Sequence, residues 1–249
     1  MPPERLYRRE RRSVPAPDSF DPMAKPVGEA PTRPQVPPDL ADAPGDPLAD
    51  GLEWYQVCAR GDFSGQVAGT VEVSESLVMG ARLVGVEVGR LRMTDTVVDD
   101  CDLSGAVVMD AVLTRVEFRN CRMSGLVAAG ARLRDVRFVE CKLDDANFRM
   151  TTSERVEFDR TILRTADFYA AKLPSVRFSS CDLDFAQFSK ADLRGARLHG
   201  STLADVLGAD SFAGVVVETG QVLPLALRVF AALGITVDDD PLDVGDPGR

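Results

Sequence analysis

Apolar residues recur at every fifth position from Phe63 to Leu203, with Ser153 the single interruption. A second series stands two residues earlier and is mostly small or β-branched, as at Ala81, Cys101, Ala106, Ala111, Val116, Cys121 and Ala131. A period of five fits neither a helix at 3.6 nor a strand at 2. It does fit a short extended segment followed by a corner. Alternate residues of extended chain face the same way, so the apolar residue and the one two places before it both point inward, and the residue between them points out. The next two residues must then turn the chain. Turn-forming pairs stand there: Ser64-Gly65, Ser104-Gly105, Ser124-Gly125, Asp144-Asp145 and Arg194-Gly195. One such unit cannot bury its inward residues alone, so the pattern predicts a solenoid.

A second period, of twenty, sets the size of one coil. Phe118, Phe138, Phe158 and Phe178 follow it, as do Val116, Val136, Val156 and Val176. Phe148, Phe168 and Phe188 form another column, and Cys101, Cys121, Cys141 and Cys181 a further one in which Thr161 takes the missing place. Four fives per coil give a four-sided cross-section with like residues stacked. The units Ala191-Asp192-Leu193-Arg194-Gly195 and Ala166-Asp167-Phe168 resemble the motif of the pentapeptide-repeat family: a small residue, a polar one, Leu or Phe, then two variable positions. The resemblance covers about 145 of the 249 residues. It implies an all-β fold, a right-handed quadrilateral β-helix of about seven coils, here over residues 61–210.

The ends differ from this body. Residues 1–50 hold 12 of the 16 prolines and show no apolar periodicity, which predicts a disordered proline-rich tail. Its basic cluster, Arg5, Arg8, Arg9, Arg11 and Arg12, reads as a solvated tail or an extended start ahead of Met23, with an electrostatic arm as the alternative. Residues 51–60 carry the sole tryptophan, and Trp54, Tyr55 and Val57 suit a cap over the open first coil, with ligand stacking by Trp54 the alternative. Residues 211–237 read as a last strand, Ser211 to Val217, and a helix, Gln221 to Leu233. Pro224 lies in the helix's first turn and Gly234 just beyond its end. That helix is apolar on most sides, so it is expected to pack on the last coil with one face and on a second copy with the other, through Leu223, Leu227, Phe230 and Ala231. The acidic segment 238–249 is expected to be disordered. No stretch is long and apolar enough for a membrane span or a secretory leader, so a cytoplasmic protein is expected.

Chemistry is sparse. Four of the five cysteines occupy the small inward position, there is no Cys-x-x-Cys pair, and the only histidine, His199, follows an inward leucine. Packing is therefore favoured over a metal site or a disulfide, and no cofactor is expected. Without a nucleophile–base pair or converging acids, the chain reads as a non-enzyme. At Met150 to Glu154 a polar residue takes an inward place; hydroxyls bonded to backbone are favoured there over an extruded loop.

Function then rests on the surface. The ending around Gly220, Gln221, Leu227, Ala231, Ala232 and Gly234 resembles that of the MfpA-type pentapeptide-repeat proteins. This resemblance implies a dimer that binds DNA gyrase by imitating duplex DNA, and so a link to quinolone resistance. Such mimicry needs an acidic outer wall. The whole chain carries a net charge of −10, but residues 61–210 hold 23 acidic and 19 basic residues, a net of only −4. Their signs also alternate at spacing twenty, as in Asp95, Arg115, Asp135, Arg155 and in Glu117, Arg137, Glu157, Arg177, which predicts inter-coil ion pairs. Elsewhere Val107, Met109, Val127 and Ala129 predict an exposed apolar docking patch. The expected partner is a protein, with no direct nucleic-acid or membrane contact. Two readings stand: a gyrase modulator, and a general interaction scaffold with no topoisomerase link.

Overall fold

The five-residue unit builds the corners of the wall, and many of them are tight turns. In those the inward residue's carbonyl accepts a hydrogen bond from the amide three places on, as in Leu103 O from Ala106 N (3.1 Å) and Leu143 O from Ala146 N (3.2 Å). The residue two places after the inward one takes positive φ, +66° at Gly105 and +70° at Gly125. Many corners hold side chains in that conformation, such as Asp95 (+47°), Arg115 (+51°) and Asp135 (+55°). A side chain there costs roughly 1–2 kcal/mol, and it is offset by backbone bonding between coils. Leu83 N donates to Asp102 O (2.7 Å), and Asp102 N donates to Ala81 O (3.0 Å).

In this computed structural model, which describes residues 29–43 and 47–237, the turns join a single parallel β-solenoid of about seven coils. Its strands are β1 (Ala41–Asp42), β2 (Leu52–Tyr55), β3 (Val57–Ala59), β4 (Val67–Ser74), β5 (Leu77–Met79), β6 (Glu87–Asp99), β7 (Val112–Arg119), β8 (Arg132–Val139), β9 (Thr152–Asp159) and β10 (Arg177–Ser179). Register through the body is twenty: Phe118 pairs with Phe138, Phe138 with Phe158, and Phe158 with Phe178. It shortens to nineteen at both ends, where Trp54 pairs with Val73 and Arg197 bridges Val216. Residues 51–60 thus form the first rung, and Trp54 packs edge-on against Phe63 at 5.6 Å.

Phenylalanine columns fill the later coils. Phe118, Phe138, Phe158 and Phe178 stack nearly parallel at 4.7 to 5.1 Å between centroids, and Phe148, Phe168 and Phe188 do so at 5.1 to 5.3 Å. The two columns meet edge to face, and Phe212 closes the second at 5.4 Å. Earlier coils place Val78 and Val98, then Val88, Val108 and Ala128, in the same columns. These side chains are too short to meet across the axis, and an apolar cavity of about 100 Å³ remains among them.

Helix α1 (Val222–Ala232) lies within the predicted span and follows a short 3-10 turn, Thr219–Gln221. It ends where Gly234 takes φ +71°, with Gly234 N bonding Ala231 O and Ile235 N bonding Phe230 O. This pairing of the last carbonyls is the usual service of a glycine just past a helix. Gln221 fixes the helix to the solenoid: its side-chain amide donates to Leu198 O and Ser201 O, and its oxygen accepts from Glu218 N at 2.9 Å.

Two expectations need adjustment: the predicted strand Ser211 to Val217 is replaced by a 3-10 turn, Ala209–Ser211, and a single bridge at Val216, and part of the proline-rich tail is ordered. Residues 29–43 are not disordered but run extended along the wall, and β1 pairs with β3. The basic cluster Arg5–Arg12, Met23 and the acidic segment 238–249 lie outside the described residues. At Ser153 no loop is extruded: Ser153 pairs in register with Leu133, its hydroxyl donates to Lys172 O, and the buried Thr151 hydroxyl donates to Ala128 O.

Phe158→Ala is expected to cost about 3–5 kcal/mol, since it opens both aromatic columns. Val98→Phe is expected to raise stability by about 1 kcal/mol by extending the stack into the cavity. Urea unfolding of the three proteins checks both signs.

Candidate functional site

Outward positions carry whatever the wall can do, and the turn at residues 93–96 starts the most ordered of them. Its αL corner residue is Asp95, and one coil on comes Arg115, then Asp135, then Arg155. Stacking places each arginine over the preceding aspartate. Arg115 Nε reaches Asp95 Oδ1 at 2.7 Å, and Arg155 grips both oxygens of Asp135 at 2.7 and 2.8 Å. On the adjoining face Arg137 bridges Glu117 (3.3 Å) and Glu157 (3.2 Å). The alternating columns are therefore inter-coil ion pairs, as expected. Asp95, Asp135 and Glu117 are also buried, at 8%, 4% and 3% exposure.

Part of that burial comes from residues 29–43, which lie over the corner. Thr32 N–H donates to Asp135 Oδ1 (2.9 Å) and Gln35 N–H to Asp95 Oδ1 (3.1 Å). The Arg155 guanidinium, helped by the Thr32 amide, holds the Asp135 carboxyl down at about 2. Arg115, with the Gln35 amide, lowers that of Asp95. These contacts are not legible in apolar spacing at periods of two, 3.6 or five, none of which the segment obeys. The signal was a period of three, Pro31, Pro34 and Pro37: Pro31 is buried and the other two are half-buried.

The expected apolar patch is smaller than the sequence implied. Val107 and Val127 bridge each other and are half-buried, Met109 is 50% exposed, and Ala129 is buried at 8%, so it offers no surface. Helix α1 shows more. Only Leu225 is buried, while Leu223 is 72%, Leu227 53% and Phe230 39% exposed, and Ala231 is exposed as well. Arg228 pairs with Asp205 beneath the helix, and an open groove runs along Leu223 and Leu227.

Residues 131–207 match the profile described as a pentapeptide repeat region, and residues 92–125 and 111–149 match the pentapeptide repeats profile. Together they make residues 92–207 a pentapeptide-repeat region. No curated protein matches it in sequence. Among solved structures, a trypsin-treated form of QnrB1, a plasmid-mediated fluoroquinolone resistance protein, is 21% identical, covers 78% of this chain and 100% of its own, and gives a TM-score of 0.46. HetL, a pentapeptide-repeat protein involved in heterocyst differentiation regulation in the cyanobacterium Nostoc, is 16% identical over 69% of this chain and 91% of its own, with a TM-score of 0.35.

Within this pentapeptide-repeat region the inward polar residues serve the wall. Thr161 Oγ1 lies 3.2 Å from Phe138 O and 3.1 Å from Asp159 O, Ser201 Oγ lies 3.1 Å from Phe178 O, and Cys181 Sγ lies 3.3 Å from Phe158 O. The column thus takes side chains with one small donor, which explains the Cys, Thr and Ser exchange. Burial pushes the Cys181 thiol up to about 12, away from nucleophile chemistry. Among the described residues no three His, Cys, Asp or Glu side chains converge as metal ligands, and no helix is long and apolar enough to cross a membrane.

Because the folded carboxyl of Asp135 sits near 2, below its ordinary value of about 3.9, its contribution is complete above about pH 5 and is lost as pH falls toward and through 2. Urea midpoints at pH 7, 4 and 2.5 are expected to drop mainly in the last step. Asp135→Asn is expected to flatten that drop, by on the order of 1–2 kcal/mol.

Proposed function

We propose that this chain is a non-catalytic homodimer that works by presenting its rigid walls to a protein partner. The observation that carries the reading is helix α1, whose Leu223, Leu227 and Phe230 stay exposed although the helix is fixed to the last coil. An apolar strip on a firmly anchored element is surface waiting for a partner. A second copy of the same helix fits it through a two-fold contact, which joins two solenoids into one longer rod.

DNA gyrase is the partner that the resemblance around Gly220, Gln221, Leu227 and Gly234 nominates. Imitation of duplex DNA is the weaker route to it, because the best-ordered carboxylates, Asp95, Glu117 and Asp135, are buried and neutralised by arginine. Docking as a scaffold through uncharged surface, including Val107, Met109 and Val127, draws on a different observation: the half-buried valine column beside an exposed methionine.

Sedimentation velocity at micromolar protein is expected to show a dimer, and Leu223→Asp with Leu227→Asp a folded monomer. A monomeric native chain would remove the dimer. Supercoiling by gyrase from the same source, titrated with the protein with and without a quinolone, separates the two partner readings. Inhibition or drug protection that is lost in the monomeric variant supports gyrase. No effect, with gyrase absent from pull-downs, leaves the scaffold.

A further inference from the structure

The segment over the Asp95–Arg155 corner is held by spacing more than by side chains. Pro31, Pro34 and Pro37 recur every third residue and turn toward the wall, which is the habit of a polyproline II helix. That helix rises about 3.1 Å per residue, so equivalent positions repeat every ~9.3 Å. Coils stack at about 4.8 Å, so the two aspartates, which stand two coils apart, repeat every ~9.6 Å. The two periods agree to within a few tenths of an ångström. This agreement lets the amides of Thr32 and Gln35, three residues apart, each meet one carboxylate. Arginines in the alternate coils keep those carboxylates ionised and pointing at the segment without competing for the same peptide.

Nearby, Glu117 is 3% exposed and its Oε2 has no hydrogen-bond partner among the described residues, while Oε1 takes Arg119 and Arg137. Arg33 lines the same hollow as Glu117. The track therefore offers a buried carboxylate oxygen beside the position where the resident segment carries a basic residue.

We propose that this corner is a recognition site for extended proline-rich peptide segments of partner proteins, of the form Pro-x-x-Pro-x-x-Pro with an amide after each of the first two prolines, and that residues 31–37 fill it as an exchangeable resident ligand. The site reads backbone spacing: a carboxylate every second coil matches an amide every third residue. A partner's segment enters by displacing the resident one, which covers Asp95 and Asp135 until then. The site is separate from helix α1, and its occupancy is independent of dimerisation.

The test uses the full-length chain carrying Pro31→Asp, Thr32→Pro and Gln35→Pro. These changes remove the buried proline and both amide donors and set a like charge against Asp135. Hydrogen exchange at Val36 and residues 39–43 reads whether the segment has left. A fluorescent peptide of residues 29–40 is then titrated by anisotropy against this variant and the native chain. Binding to the variant at least tenfold tighter than to the native chain is expected. The same peptide with prolines at the positions of Thr32 and Gln35 is expected to lose that binding tenfold or more. No binding to the vacated variant would overturn the proposal by restricting the segment to an intramolecular brace. Equal binding of the two peptides would overturn it by showing that amide spacing is not read.

Discussion

Every feature of this molecule depends on the parallel hydrogen-bond ladder that returns the chain to the same place after twenty residues. At a spacing near 4.8 Å each side chain must tolerate its counterpart one coil above and below. Identical apolar residues do so by stacking, as the phenylalanines show. Along the corner opposite charges do so by pairing, aspartate alternating with arginine. Inward polar residues are admitted only where a short hydroxyl or thiol returns to a neighbouring carbonyl. One constraint thus fixes core, corner and surface together.

Much of this was legible because the repeat makes sequence distance and spatial distance proportional. Counting by five located the core, counting by twenty located the columns, and the sign alternation at Asp95, Arg115, Asp135 and Arg155 gave the ion pairs. What stayed hidden does not obey that arithmetic. Thr32 and Asp135 are 103 residues apart, and nothing in either position announces the contact. Proline-rich composition was read as disorder, whereas a prepaid polyproline conformation loses little entropy when it lies on a ready-made track. Ala129 was misplaced for a local reason: its side chain is short and stands in the column between the longer Met109 and Arg149 of the neighbouring coils. Of the candidate surfaces, the helix was readable from its apolar composition, broken only by Arg228, because a cap needs one apolar face and this helix has more.

The same neutralisation that lets charges stack also limits what the wall can say to a partner. Carboxylates that face arginine at under 3 Å contribute little long-range field. Recognition on such a surface must come from shape, from the regular spacing of backbone and side chains, and from the few apolar residues left uncovered. Both the wall's flat faces and the helix at its end offer that kind of surface.

The change from valine to phenylalanine along the core gives the rod a soft end and a hard end. In a structure where each coil touches only its neighbours, unfolding travels as a front that starts where the coil-to-coil contact is weakest. That place is the stretch around the cavity, between Val78 and Ala128. The proline-rich segment runs across these coils, tying the first rung at β3 to the coil of Asp135, where the aromatic stack has begun. It acts as a splint, so the front cannot open one coil without also lifting a brace anchored several coils away.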